Sequence, residues 1–144
     1  SETAARISGK TYRVEEGTLS AEIFNIMSGA PVRAIREFSL TFDDYGCVWD
    51  TLGDQGRQAI RITTDGCRFT NLVGRPSDPT QLLVCDGAWV QPDVFEAHLR
   101  WAETCLTKKL VFRFEGDALV IEDSDNNAFR LRSTPDIIRA RALS

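Results

Sequence analysis

From Asp93 to Trp101 the chain alternates strictly. Phe95, Ala97, Leu99 and Trp101 are apolar, and the intervening Glu96, His98 and Arg100 are polar. Successive side chains of a β-strand point to opposite faces, so this pattern specifies a strand with one dry face and one wet face. The same period continues in Leu106–Glu115, where Lys108, Leu110, Phe112 and Phe114 share one parity and Thr107, Lys109, Val111 and Arg113 the other. Glu103-Thr104 fits the turn between these runs. Glu115-Gly116-Asp117 is a second tight turn, in which glycine adopts positive φ without a steric cost. Leu119-Val120-Ile121 opens a further strand, closed by Asp125-Asn126-Asn127, and Ala128–Arg132 resumes the pattern. This half of the chain reads as a meander of short antiparallel strands.

The first half repeats the pattern less cleanly. Thr11-Tyr12-Arg13-Val14 forms an opening strand, and Phe38, Leu40 and Phe42 share one face of a second. Asp43-Asp44-Tyr45-Gly46 turns into Cys47-Val48-Trp49-Asp50. Ile60 and Ile62 lead to Asp65-Gly66, the strongest short hairpin signal in the chain, with Cys67-Arg68-Phe69 as the return strand. Leu82-Leu83-Val84 continues through Gly87 to Trp89. Two segments depart from this reading. Leu19, Ile23, Ile26 and Met27 recur at helical spacing, with Thr18 or Ser20 as N-cap and Gly29 as stop, so residues 18–29 form either a short helix or an ordered insertion. Thr134-Pro135 could open a helix, but Ile138, Ala140 and Ala142 alternate with Arg139 and Arg141, which favours a last strand.

Nine or ten short strands with turns roughly every 8–12 residues leave a sandwich or a barrel, and the hairpin-like connections favour an all-β, antiparallel up-and-down barrel of about eight to ten strands, lipocalin-like in form. Closure also removes exposed sheet edges. The chain has 8 Phe, 3 Trp and 2 Tyr, several at inward parity, and each buried ring contributes ~1.5–3 kcal/mol. The interior is therefore expected to be filled with side chains. At 144 residues, with no linker or repeat, the chain is expected to form one domain spanning 1–144. Its net charge of −4 and pI near 5.0 disfavour a nucleic-acid partner. No apolar run is long enough to cross a bilayer as a helix, and Ser1–Arg6 lacks the form of a signal peptide. A start without Met points to a piece of a longer polypeptide. Cys47, Cys67, Cys85 and Cys105 form no C-x-x-C. They could pair in three ways, but size and even spacing favour free thiols, which would fit a cytoplasmic setting.

Several residues of this chain, in order, resemble a known module. Gly9-Lys10-Thr11-Tyr12, Phe38-Ser39-Leu40-Thr41-Phe42, the Asp65-Gly66 turn, Gly87-Ala88-Trp89, Asp93-Val94-Phe95 and Leu110-Val111-Phe112-Arg113-Phe114-Glu115-Gly116-Asp117 resemble the C-terminal β-barrel extension of bacterial serine hydrolases of the β-lactamase and penicillin-binding-protein-like family. The likeness covers about Ile7 to Glu122. Gly17–Val32 is longer than the family pattern, and the C-terminal tail does not match it. The resemblance implies a non-catalytic accessory barrel whose partner is the catalytic domain of the same polypeptide. Self-association is also left open. The alternative is a stand-alone lipocalin-like binder of a small apolar ligand, since eight-stranded barrels can hold one.

No catalytic, cofactor or metal site is expected in the chain itself. Ser-x-x-Lys is absent. Ser124-Asp125-Asn126 matches the second motif of such enzymes, but without that nucleophile, and with Lys10-Thr11 followed by Tyr12 rather than Gly, it reads as a polar turn. Asp123-x-Asp125-x-Asn127 begins like a calcium loop, yet Ala128 and Thr134 stand where Gly and Glu are required. His98 is the sole histidine, and a Cys105–His98 dyad is the one route to a thiol nucleophile. It is outweighed by an exposed strand position for His98. The acidic pairs Asp43-Asp44 and Glu15-Glu16 read as solvated turn and strand residues.

Overall fold

The computed structural model describes residues 1–21, 33–54, 56–75, 78–102, 104, 106–126 and 135–143. It opens with a helix, α1 (Glu2–Ile7), that strand periodicity does not announce. The Ser1 hydroxyl accepts the Ala4 N–H at 3.3 Å as N-cap. Glu2 lies in the first turn and Arg6 in the last, which suits the helix dipole. Six residues cannot hold a helix unaided, and tertiary contacts do the work. Ile7 is fully buried, Gly9 N–H donates to the Leu40 carbonyl at 3.0 Å, and Ser8 Oγ accepts the Phe42 N–H at 2.7 Å. Arg6 reaches the Gly116 carbonyl at 3.1 Å. Thus α1 caps one end of the fold.

Among the described residues ten strands follow: β1 (Thr11–Glu16), β2 (Ile35–Asp43), β3 (Gly46–Gly53), β4 (Gly56–Thr63), β5 (Phe69–Arg75), β6 (Asp78–Gln91), β7 (Val94–Trp101), β8 (Thr107–Glu115), β9 (Ala118–Asp125) and β10 (Asp136–Ala142). They form one sheet in the order β4-β3-β2-β1-β10-β9-β8-β7-β6-β5. β1 joins first and last, pairing Tyr12 with Phe38 on one side and Ala142 on the other. The result is a closed, all-β, lipocalin-like barrel with one short helix among the described residues. The alternating burial of β7, β8 and β9 follows the parity read from the sequence. β10 is a strand rather than a helix. Of the segment 18–29, Leu19 makes a β-bridge to Ile35 instead of starting a helix, and residues 22–29 lie outside the described set, as do Ala128–Arg132.

Closure is weakest between β4 and β5. The Asp65-Gly66 turn forms as expected: Asp65 Oδ1 accepts the Cys67 N–H at 3.0 Å, and Gly66 has φ +88. The strands it joins nevertheless do not form a ladder. β4 pairs with β3 and touches β6 at one parallel bridge, Thr63–Asp86. The side chain of Asn71 stands in for the missing pairing. Its Oδ1 accepts the Arg61 N–H at 2.7 Å and its Nδ2 donates to the Arg61 carbonyl at 2.9 Å. The hairpin reading is thus corrected: the dipeptide sets the turn, but an amide side chain rather than a strand satisfies Arg61.

Candidate functional site

Inward parity brings eight rings into one connected cluster. Tyr12 stacks on Phe38 at 5.7 Å and meets Phe114 edge-on at 6.0 Å. Phe38 and Trp49 both contact Phe112, which continues to Phe95 at 6.3 Å. Trp89 then links Phe42, Phe95 and Phe114. Gly87 makes room for this stack, since a Cβ there would lie 2.8 Å from the Phe95 ring. Two polar atoms are enclosed with the rings. The Tyr12 hydroxyl and the Trp49 indole N–H are buried without a protein hydrogen-bond partner among the described residues. Buried donors are normally satisfied. Burial pushes the Tyr12 pKa up, Arg6 opposes that rise and Asp117 adds to it.

At the other end of β8 the interior changes character. Lys108 Nζ lies 3.1 Å from Asp123 Oδ2, with the two side chains 2% and 4% exposed. Lys108 Nζ also donates to the Ser20 carbonyl at 3.2 Å. The register explains the meeting: Leu99 stands opposite Lys108, and Leu110 opposite Asp123, so both charges enter on the face that carries leucines. Desolvating two charges costs several kcal/mol per ion, which their attraction and hydrogen bonds offset only in good geometry. A barrel needing only a core would be served as well by two apolar residues here.

Among the described residues, those singled out from the sequence are held in local structural contacts. His98 is exposed, and its Nε2 lies 2.7 Å from Glu96 Oε1. Cys105 lies outside the described residues, so the dyad is not placed. Ser124 is on the outer parity of β9, while Asn126 Oδ1 accepts the Thr107 N–H at 2.8 Å and ties down the strand end. Asp123 belongs to the ion pair with Lys108, and among the described residues no cluster of three or more His, Cys, Asp or Glu could hold a metal. Asp43 holds its turn by accepting the Tyr45 and Gly46 N–H groups and pairs with Arg61 at 2.7 Å. The Arg61 guanidinium, helped by those backbone bonds, lowers the Asp43 pKa to about 2. Glu15 and Glu16 face Arg141 and Arg139 across β1 and β10 at 3.4 and 3.5 Å. Cys47, Cys67 and Cys85 are free thiols, and burial pushes Cys47 and Cys85 to about 12. Of the interior groups that stand out, Lys108, Tyr12 and Trp49 carry no site motif, and Asp123 is marked only as the start of an incomplete calcium loop. The one available signal was the charge at Lys108 on the apolar parity of β8.

No protein-family model and no curated protein matches the sequence. Solved structures do match in fold over nearly the whole chain. A Schistosoma mansoni fatty acid binding protein in complex with arachidonic acid aligns with a TM-score of 0.65 and 10% identity, covering 99% of both chains. The fatty acid-binding protein of Drosophila melanogaster brain tissue gives 0.61 and 10%, covering 94% of this chain and 99% of that one. The fatty-acid-binding protein of Manduca sexta gives 0.59 and 12%, covering 96% and 99%. These alignments overturn the assignment to a β-lactamase-related serine hydrolase. The barrel corresponds end to end to these binding proteins, not to a C-terminal extension, and a catalytic domain as its partner is withdrawn. The quoted motifs are short strand-and-turn patterns common to β-meanders, which is why they followed the order of the wrong family.

Proposed function

We propose that the protein binds a small, largely apolar molecule with one hydrogen-bonding end inside the barrel. The observation that carries this reading is the buried Lys108–Asp123 pair, a donor and an acceptor that stand opposite Leu99 and Leu110. The fold likeness to proteins named for fatty acid binding supports the ligand class, although fold alone does not fix function. The ring cluster occupies the half capped by α1, so the ligand body is expected toward the ion pair, beside Leu99, Leu110 and Trp101. The proposal gives no chemical step to the chain. Its residues exclude water from the ligand and hold its polar end.

The test is displacement of anilinonaphthalene sulfonate by oleate, with native mass spectrometry of the delipidated protein. Saturable displacement with a single added oleate mass is expected, weakened at least tenfold in Lys108→Met/Asp123→Leu. The absence of displacement and of a mass shift up to the solubility limit of oleate overturns the reading.

A further inference from the structure

We propose that the outer face of β6–β9 carries a second site, for a small oxyanion such as phosphate, taken either free or as the headgroup of an anionic lipid. A half-open hollow of about 430 Å³ lies there, a volume within the range of small-molecule sites. Strand register builds it. Asp86, His98, Lys109 and Ser124 fall on one rung across four strands, and Val84 and Arg100 on the next. Arg68 reaches in from the start of β5.

The charges on this face are unequally answered. Asp86 has Arg68 at 3.8 Å, and His98 has Glu96 at 2.7 Å. Arg100 and Lys109, both exposed, have no ion-pair partner among the described residues. They flank a concave surface that also presents the Ser124 hydroxyl as a donor and Val84 as an apolar floor, and whose lining takes in the carboxylates of Asp86 and Asp125. A guanidinium, an ammonium and a hydroxyl converging on a hollow suit a tetrahedral oxyanion. The chain as a whole is net −4, so attraction of an anion here would be local rather than a general property of the surface. The same rung does not make a hydrolytic triad. Ser124 lies two strands from His98, roughly 10 Å at ordinary strand spacing, and the imidazole is engaged by Glu96.

The experiment is a ¹H–¹⁵N NMR titration of the full chain with sodium phosphate at constant ionic strength, balanced with chloride, beside sedimentation with phosphatidylglycerol or phosphatidylcholine vesicles. Saturable shifts at the amides of His98, Arg100, Lys109 and Ser124 are expected, with affinity reduced at least tenfold in Arg100→Gln/Lys109→Gln. Both side chains are exposed, so an unchanged melting curve checks that the variant is folded. Sedimentation with phosphatidylglycerol alone, lost in the variant, supports the lipid headgroup as the source of the anion. Phosphate saturation without vesicle binding supports the free anion. Neither response, or one that chloride reproduces or the double variant retains, overturns the proposal.

Discussion

Along the β8–β9 hairpin the barrel fills its interior in two different ways. Beside the turn, Phe112 and Phe114 join a cluster of rings in edge-to-face and tilted contact, and α1 covers the end. Toward the other end of the same strands, Lys108 and Asp123 bring opposite charges inward. Dispersion and the hydrophobic effect are non-directional and additive over area, so the ring half tolerates small shifts. A buried charge pair is directional, and its energy depends on both partners staying in place. The ring half is therefore built for stability, and the pair marks where a ligand could compete for hydrogen bonds.

Five variants test that contrast, in order of expected effect. Phe112→Ala should cost ~3–5 kcal/mol by opening a cavity against Phe38, Trp49 and Phe95. Urea melts measure it, and a loss below about 1 kcal/mol, the floor for felt core deletions, would show that the rings do not carry the fold. Lys108→Met should cost ~3–5 kcal/mol by stranding a buried carboxylate, whereas Lys108→Met/Asp123→Leu should recover most of that. Equal losses in the single and double variants would mean that packing, not charge, matters at this end. Asn71→Ala leaves the Arg61 backbone groups without their partner and should cost ~1–3 kcal/mol, read by the same melts.

The smallest effect is electrostatic. The folded Asp43 pKa is depressed from 3.8 to about 2, chiefly by Arg61. Its contribution is thus fully present above the unfolded value and is lost as pH falls through the folded value. The difference in melting temperature between the native chain and Asp43→Asn should be small and constant near neutrality and vanish between about pH 4 and pH 2. A difference that persists in acid would assign the effect to the turn hydrogen bonds alone.

The strands were legible because period two is imposed by the pleat itself. Phe95 to Trp101 and Lys108 to Phe114 show their inward parity without any knowledge of their partners. The ion pair was not, because its meaning depends on register: Lys108 on an apolar parity becomes informative only once β9 places Asp123 beside it and Ser20, far away in sequence, supplies a carbonyl. α1 was missed because six residues give too little periodicity, although Ser1, Glu2 and Arg6 were correctly placed cap and dipole signals. Asp65-Gly66 was read correctly as a turn and wrongly as a hairpin, because turn chemistry is local while pairing of the flanking strands is decided by the rest of the sheet. Family resemblance failed for a related reason: strand-and-turn motifs report the β-meander and not what the meander is for.

The Asn71 substitution for a strand has a dynamic consequence. Among the described residues every other neighbouring pair around the cylinder is held by a run of backbone bonds, whereas β4 meets β5 through the Asn71 amide and reaches β6 by a single bridge. Unrolling should begin at that seam, where the fewest bonds must break, and peptide hydrogens of β4 and β5 should exchange with deuterated solvent before those of β8 and β9.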